Sequence, residues 1–184
     1  MKNKIIKYSY RVLVFLSIFL LFAGCTIKLG GGRSYGYSLT GASTGGAQTA
    51  VILYFQNRSP LIEPSLAQKL TEALKNKILS QTSLKLVNKD GDVNFEGSIE
   101  SFGTQPTAVP GGNNLIPQSN RLTVIIKVKF NNSKNPHFDF ETTFSRYIDA
   151  PGTSTLDAII ATPDYTKLID QLVDDVFTKA FVNW

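Results

Sequence analysis

A single cysteine and a single histidine stand among the 184 residues, and that scarcity excludes whole classes of chemistry. One cysteine, Cys25, permits no disulfide within the chain. One histidine, His137, begins a strand behind a proline turn and reads as a surface residue; with Cys25 alone beside it no tetrahedral zinc site can be built. A hydrolase would need a nucleophile, a base and an orienting group, and no such set occurs in the sequence. Glu96 and Glu100 share one strand face, which is the pattern of a solvated acidic face and not of a glycosidase pair. The glycines between Gly30 and Gly46 are followed by no Gly-Lys-Ser/Thr, so they form no phosphate loop. The expectation is a chain that is not an enzyme and holds neither metal nor a dissociable cofactor.

Acidic residues are also missing from Met1 to Arg11, which carries Lys2, Lys4, Lys7 and Arg11 ahead of the apolar run Val12 to Phe22. A positive flank, a short hydrophobic stretch and small residues after it are the parts of a secretory signal. The run is shorter than the roughly 20 apolar residues of a membrane span. Leu21-Phe22-Ala23-Gly24-Cys25 resembles the lipobox of bacterial lipoproteins, with Phe22 departing from the usual leucine. That resemblance implies removal of residues 1–24 and a covalent diacylglycerol and N-acyl chain, palmitate for example, on Cys25. Each buried methylene contributes about 0.8 kcal/mol and two chains already anchor stably. Of the formal charge of +5, four units lie in the expected signal, leaving the remaining 160 residues near +1. The basic pI is therefore no argument for a nucleic-acid partner.

Residues 25–48 are rich in Gly, Ser and Thr and are expected to be a lipidated tether, with Tyr37-Ser38-Leu39-Thr40 as a short strand inside it. Residues 49–184 suit one domain. Ala50 to Phe55 is a β-prone run closed by Asn57-Arg58-Ser59-Pro60. Pro64 suits a first helical position, and Leu66, Leu70, Ala73, Leu74 and Ile78 give a helix one apolar face. Leu84 and Leu86 start another strand, and Lys89-Asp90-Gly91-Asp92 predicts a hairpin turn into a strand with Val93, Phe95, Gly97, Ile99 and Ser101 on one face. Thr104 to Asn120 reads as a long loop between two long strands. Arg121 to Phe130 alternates, Leu122, Val124, Ile126, Val128 and Phe130 inward. His137 to Tyr147 is expected to be the last strand, with Phe138, Phe140, Thr142 and Phe144 toward the core. An irregular stretch then precedes a helix with Leu168, Ile169, Leu172, Val173, Val176, Phe177, Ala180 and Phe181 as its apolar stripe. The order β, α, β, β, β, β, α predicts an α+β fold: a four- to five-stranded, largely antiparallel sheet with two helices packed on one face.

Several segments carry a family texture: Tyr37-Ser38-Leu39-Thr40-Gly41-Ala42-Ser43, Phe95-Glu96-Gly97-Ser98-Ile99, Arg121-Leu122-Thr123, Lys127-Val128-Lys129-Phe130, Phe144-Ser145-Arg146-Tyr147 and Lys179-Ala180-Phe181-Val182-Asn183-Trp184. In these the chain resembles the LptE family of lipopolysaccharide-assembly lipoproteins, in the version common in Bacteroidetes. The resemblance implies a two-layer α/β roll anchored in the inner leaflet of the outer membrane. Its partners would be the β-barrel translocon LptD, which such a domain plugs and helps to assemble, and lipopolysaccharide. Thr26-Ile27-Lys28-Leu29 lacks the acidic residues that send similar lipoproteins to the cell surface, so a periplasm-facing position is expected. Lipid A phosphates, if bound, are expected at a basic edge of Arg121, Lys127 and Lys129 with Arg146 nearby, because residues 121–147 hold five basic and two acidic side chains. Arg121 and Arg146 would meet at the loop-bearing end. A solvated strand face whose lysines discourage aggregation is the other reading of the same residues. A non-catalytic binding or scaffold lipoprotein of another envelope machine, or an enzyme using unrecognised carboxylates, are the alternative readings of the whole.

Overall fold

The computed structural model describes residues 42–107 and 119–182. The expected signal, Cys25, the short strand at Tyr37-Ser38-Leu39-Thr40 and most of the Thr104 to Asn120 loop fall outside them. In chain order the elements are β1 (Thr49–Ile52), β2 (Gln56–Asn57), α1 (Pro64–Gln81), β3 (Lys85–Leu86), β4 (Val93–Thr107), β5 (Ser119–Asn132), a 3₁₀ turn (Pro136–Phe138), β6 (Phe140–Pro151), α2 (Leu156–Ile160) and α3 (Pro163–Phe181).

The long strands obey period two. Leu122, Val124, Ile126, Val128 and Phe130 of β5 are all fully buried, because alternate residues of a strand point to one face. β4 runs antiparallel to β5 from Val93↔Asn132 to Thr107↔Ser119, and β5 to β6 from Ser119↔Pro151 to Phe130↔Phe140. One register shift falls between Ile99 and Ser101. The extra residue there turns the strand over by one position, so Phe102, not Ser101, enters the core beyond Ile99. His137 lies exposed in the 3₁₀ turn and β6 begins only at Phe140.

Both long helices cover this apolar face. α1 buries Leu66, Leu70, Leu74 and Ile78, and α3 buries its whole expected stripe together with Tyr165. Pro64 takes the first turn of α1, and the Glu63 carboxylate accepts the Ser65 N–H at 3.1 Å, which satisfies one of the donors a helix start leaves open. The rings of Phe95, Phe130 and Phe181 meet at centroid distances of 4.8 to 5.9 Å where α3 crosses the sheet. The additional short helix α2 stands in the stretch expected to be irregular, capped by Thr155, whose hydroxyl accepts from the Ala158 N–H at 3.3 Å. The result is the expected α+β two-layer arrangement.

The sheet is mixed, and this corrects the expected hairpin. Its order is β3-β1-β4-β5-β6, with β2 also beside β4, and β1 pairs parallel with both β3 and β4. Lys89-Asp90-Gly91-Asp92 therefore carries the chain past the start of β1 instead of folding β3 onto β4. Asp92 explains why. Its Oδ2 accepts the backbone N–H groups of Gln48 and Thr49 at 2.9 and 3.1 Å and the Thr49 hydroxyl at 3.0 Å, while Lys134 approaches Oδ1 at 3.1 Å. The Asp92 carbonyl accepts from Ser133 N–H and Oγ. One residue thus clasps β1, β4 and the β5–β6 turn. Gly91 permits the crossing: a Cβ there would stand 2.9 Å from the Val51 backbone nitrogen. The last seven residues of the expected tether also belong to the domain, since Ala42 and Ala47 are buried and the Ser43 N–H donates to the Phe181 carbonyl at 2.9 Å.

Candidate functional site

The sheet face turned away from the helices holds most of the polar chemistry. β5 sends Arg121, Thr123, Ile125, Lys127 and Lys129 to it, and register brings up Glu96 and Glu141 on either side of Lys129, Ser98 and Thr143 on either side of Lys127, and Gln105 and Asp149 on either side of Arg121. Its charged residues alternate in sign. Lys127 is paired with Glu141, and Arg121 holds Asp149 through two hydrogen bonds, Nε–Oδ1 at 2.7 Å and Nη2–Oδ2 at 2.8 Å. The Arg121 guanidinium lies over the Tyr147 ring, 3.9 Å from its centre. Arg58 reaches toward Glu100 at 4.0 Å. Four cations, Arg58, Arg121, Lys127 and Lys129, stand among four carboxylates, Glu96, Glu100, Glu141 and Asp149, and Lys85 of β3 adds a fifth cation farther along the same face.

The titration of these groups follows the pairing. The Lys127 hydrogen bond, with its charge and that of Lys129, holds the Glu141 carboxyl below its ordinary range. Arg121 does the same to Asp149, first by hydrogen bonding. Asp92, at the edge, is lowered to about 2, chiefly by the Gln48 N–H and then by Lys134. Lys129 makes no ion pair within 4 Å among the described residues, although it contributes to the field at Glu141.

Three of the four expected phosphate contacts therefore share a face, and Arg146 does not join them. Register sets it opposite Val124, on the side of the helices, where its guanidinium grips Asp175 of α3 with two bonds of 2.6 Å. Arg121 faces Asp149 on the other side, so the two arginines do not meet. The local surplus of positive charge read along residues 121–147 is offset by carboxylates that lie outside that window in sequence and beside it in space: Asp149 on Arg121, Asp92 on Lys134 and Asp175 on Arg146. The shared strand face of Glu96 and Glu100 is legible in the sequence, whereas the register that sets Glu96 beside Lys129 and the approach of Arg58 to Glu100 are not.

Between the β1–β2 edge and these strands lies an open cleft of about 170 Å³ lined by Tyr54, Arg58, Glu96, Lys127, Lys129 and Glu141. Tyr54 is 60 % exposed and Leu53 beside it 47 %, so the cleft combines paired charges with an aromatic rim. Among the described residues, no group of three or more His, Cys, Asp or Glu side chains could hold a metal ion.

The model of the family described as LptE, lipopolysaccharide-assembly, matches residues 47–180. No curated protein matches the chain. Among solved structures, a hypothetical protein of Chlamydia trachomatis is similar at 11 % identity and a TM-score of 0.45, over 74 % of this chain and 99 % of the other. The PelC dodecamer subunit of Paraburkholderia phytofirmans is similar at 11 % identity and 0.44, over 77 % and 93 %. A minor lipoprotein of Acinetobacter baumannii is similar at 10 % identity and 0.43, over 72 % and 91 %.

Proposed function

The chain belongs to the LptE family of lipopolysaccharide-assembly proteins, and from that premise we propose that it is an outer-membrane lipoprotein, anchored through Cys25 and facing the periplasm, that acts as a non-catalytic plug and assembly partner of an LptD-type β-barrel. The observation that carries this reading is the coincidence of the family match, residues 47–180, with the whole two-layer domain from β1 through α3. The pairing of charges across the outer sheet face supports it. A surface whose cations and carboxylates already neutralise one another can enter a polar, wet lumen without stranding a charge, since an unpaired charge is what burial penalises most. Isolation of outer membranes in mild detergent, followed by identification of the barrel that accompanies this chain, tests the partnership. Recovery without any barrel rejects it.

Lipopolysaccharide contact is part of the proposal, and Lys129 at the cleft is its centre. Lysine serves phosphate as a mobile point charge, and Lys129 is the cation of the expected set with no ion pair of its own. Arg121, Lys127 and Arg146 are already committed to Asp149, Glu141 and Asp175. Replacing Lys129 by Ala, which breaks no ion pair among the described residues, should weaken lipopolysaccharide binding and leave the barrel complex recoverable. Unchanged lipid binding rejects the contact. The anchor is tested separately: Cys25→Ser should remove incorporation of a palmitate analogue and leave an unprocessed or mislocalised precursor.

A further inference from the structure

The strand β6 ends the sheet. It pairs with β5 through twelve consecutive register positions and with no other strand, so its second edge is open among the described residues. Proteins ordinarily blunt such an edge with lysine, proline or a bulge, because its free N–H and C=O groups invite another strand. This edge has none of those defences along its length: no lysine occurs from Phe140 to Ala150, the register with β5 is unbroken, and the only proline, Pro151, is the last residue. Its three ionised residues are neutralised within the chain, Glu141 by Lys127, Arg146 by Asp175 and Asp149 by Arg121. On the helix side, Phe140, Phe144 and Ile148 pack against the core and are only partly buried.

These three apolar residues are four apart, which makes the edge self-complementary. We propose that β6 pairs antiparallel with β6 of a second copy about a twofold axis at Phe144, joining two sheets into one with the helices of both on the same side. In that register Phe144 meets Phe144 and Phe140 meets Ile148 on the helix side, aromatic and β-branched pairs of the kind that stabilise sheets. On the outer side Thr143 meets Ser145, and Glu141 meets Tyr147, whose ring carries the Arg121 guanidinium, so unlike charges approach. The pairing spans Phe140 to Ile148 and stops there, because Asp149 would next face Asp139. Neighbouring registers fit worse: an axis at Thr143 sets Phe140 against Arg146, one at Ser145 sets Glu141 against Asp149, and one at Arg146 sets that arginine against itself.

The test exploits Thr143 and Ser145, both exposed on the outer side. The full lipidated chain, purified in detergent, is followed by sedimentation velocity over a range of concentrations. The wild type should show a reversible monomer–dimer equilibrium. Thr143→Lys with Ser145→Lys sets like charges opposite one another twice and should weaken the dimer by about tenfold or more. Thr143→Lys with Ser145→Glu sets opposite charges at the same two places and should restore it. A wild type that stays monomeric throughout overturns the proposal, as would be seen if the edge received a strand from a different protein. An unchanged dimer in the double-lysine variant, or no restoration in the lysine–glutamate variant, overturns the register and with it the proposal.

Discussion

The two halves of the sheet are built by different means. The β4–β5–β6 half is an antiparallel meander of strands 15, 14 and 12 residues long, held by its own register and by an aromatic cluster under α3. The β1–β2–β3 half consists of strands of four residues or fewer, all parallel to their neighbours, and is pinned by one carboxylate at Asp92. Antiparallel strands can be joined by a tight turn, whereas parallel ones need a crossover, and α1 with the Asp92 crossing supplies it. Stability in the first half is spread over many contacts, and in the second it is concentrated.

Four substitutions separate the halves. Phe130→Ala, at the centre of the ring cluster, should cost about 3–5 kcal/mol, measured by urea unfolding, and should destabilise the domain as a whole. Asp92→Asn should cost about 2 kcal/mol, the worth of holding a carboxyl near 2 in place of its ordinary 3.8. Because the folded value is the lower one, that contribution is complete above about pH 5 and fades as pH falls through 4 toward 2. The Asn variant should lose this part of the acid dependence, and amide exchange should rise first around Thr49. Gly97→Ala should cost about 1–3 kcal/mol, since a Cβ there would stand 2.3 Å from the Phe55 ring; adding Phe55→Leu should recover part of the loss. Arg146→Ala, which removes a partly exposed ion pair to Asp175, should cost less than about 1 kcal/mol, measured by the same unfolding. A cost at Asp92 no larger than at Arg146 would erase the contrast.

The same contrast governs what could be read from the sequence. The meander was legible because the pattern that defines it is local: five alternate residues of β5 name their own face, and the stripe of α3 names its own side. The parallel half is not legible at Asp90-Gly91, where the turn chemistry is real and Asp90 adopts a positive φ of 54°. What redirected the chain were contacts to Gln48 and Thr49, more than 40 residues away, and no local rule reports those. Charge failed in a related way. Period two sets Lys127 and Lys129 on one face, but Glu96 beside Lys129 and the partners of Arg121, Lys134 and Arg146 come from outside residues 121–147, and a count along that window omits them. Arg146 lay one position out of phase with the face it was assigned to, and period two sends such a residue to the opposite side.

The hydrogen bond from Ser43 to Phe181 closes the domain into a ring. Chain enters and leaves at one end, close to the Phe95–Phe130–Phe181 cluster, whereas Thr107 and Ser119 lie roughly 40 Å along the strands from it at 3.3 Å per residue. The chain that precedes Ser43 therefore joins the domain at the near end. Evolution is free at the far end to lengthen, shorten or exchange the passage between β4 and β5 without rewiring the attachment, and a circular permutant that links residue 182 to residue 42 and opens between 107 and 119 should fold to the same sheet.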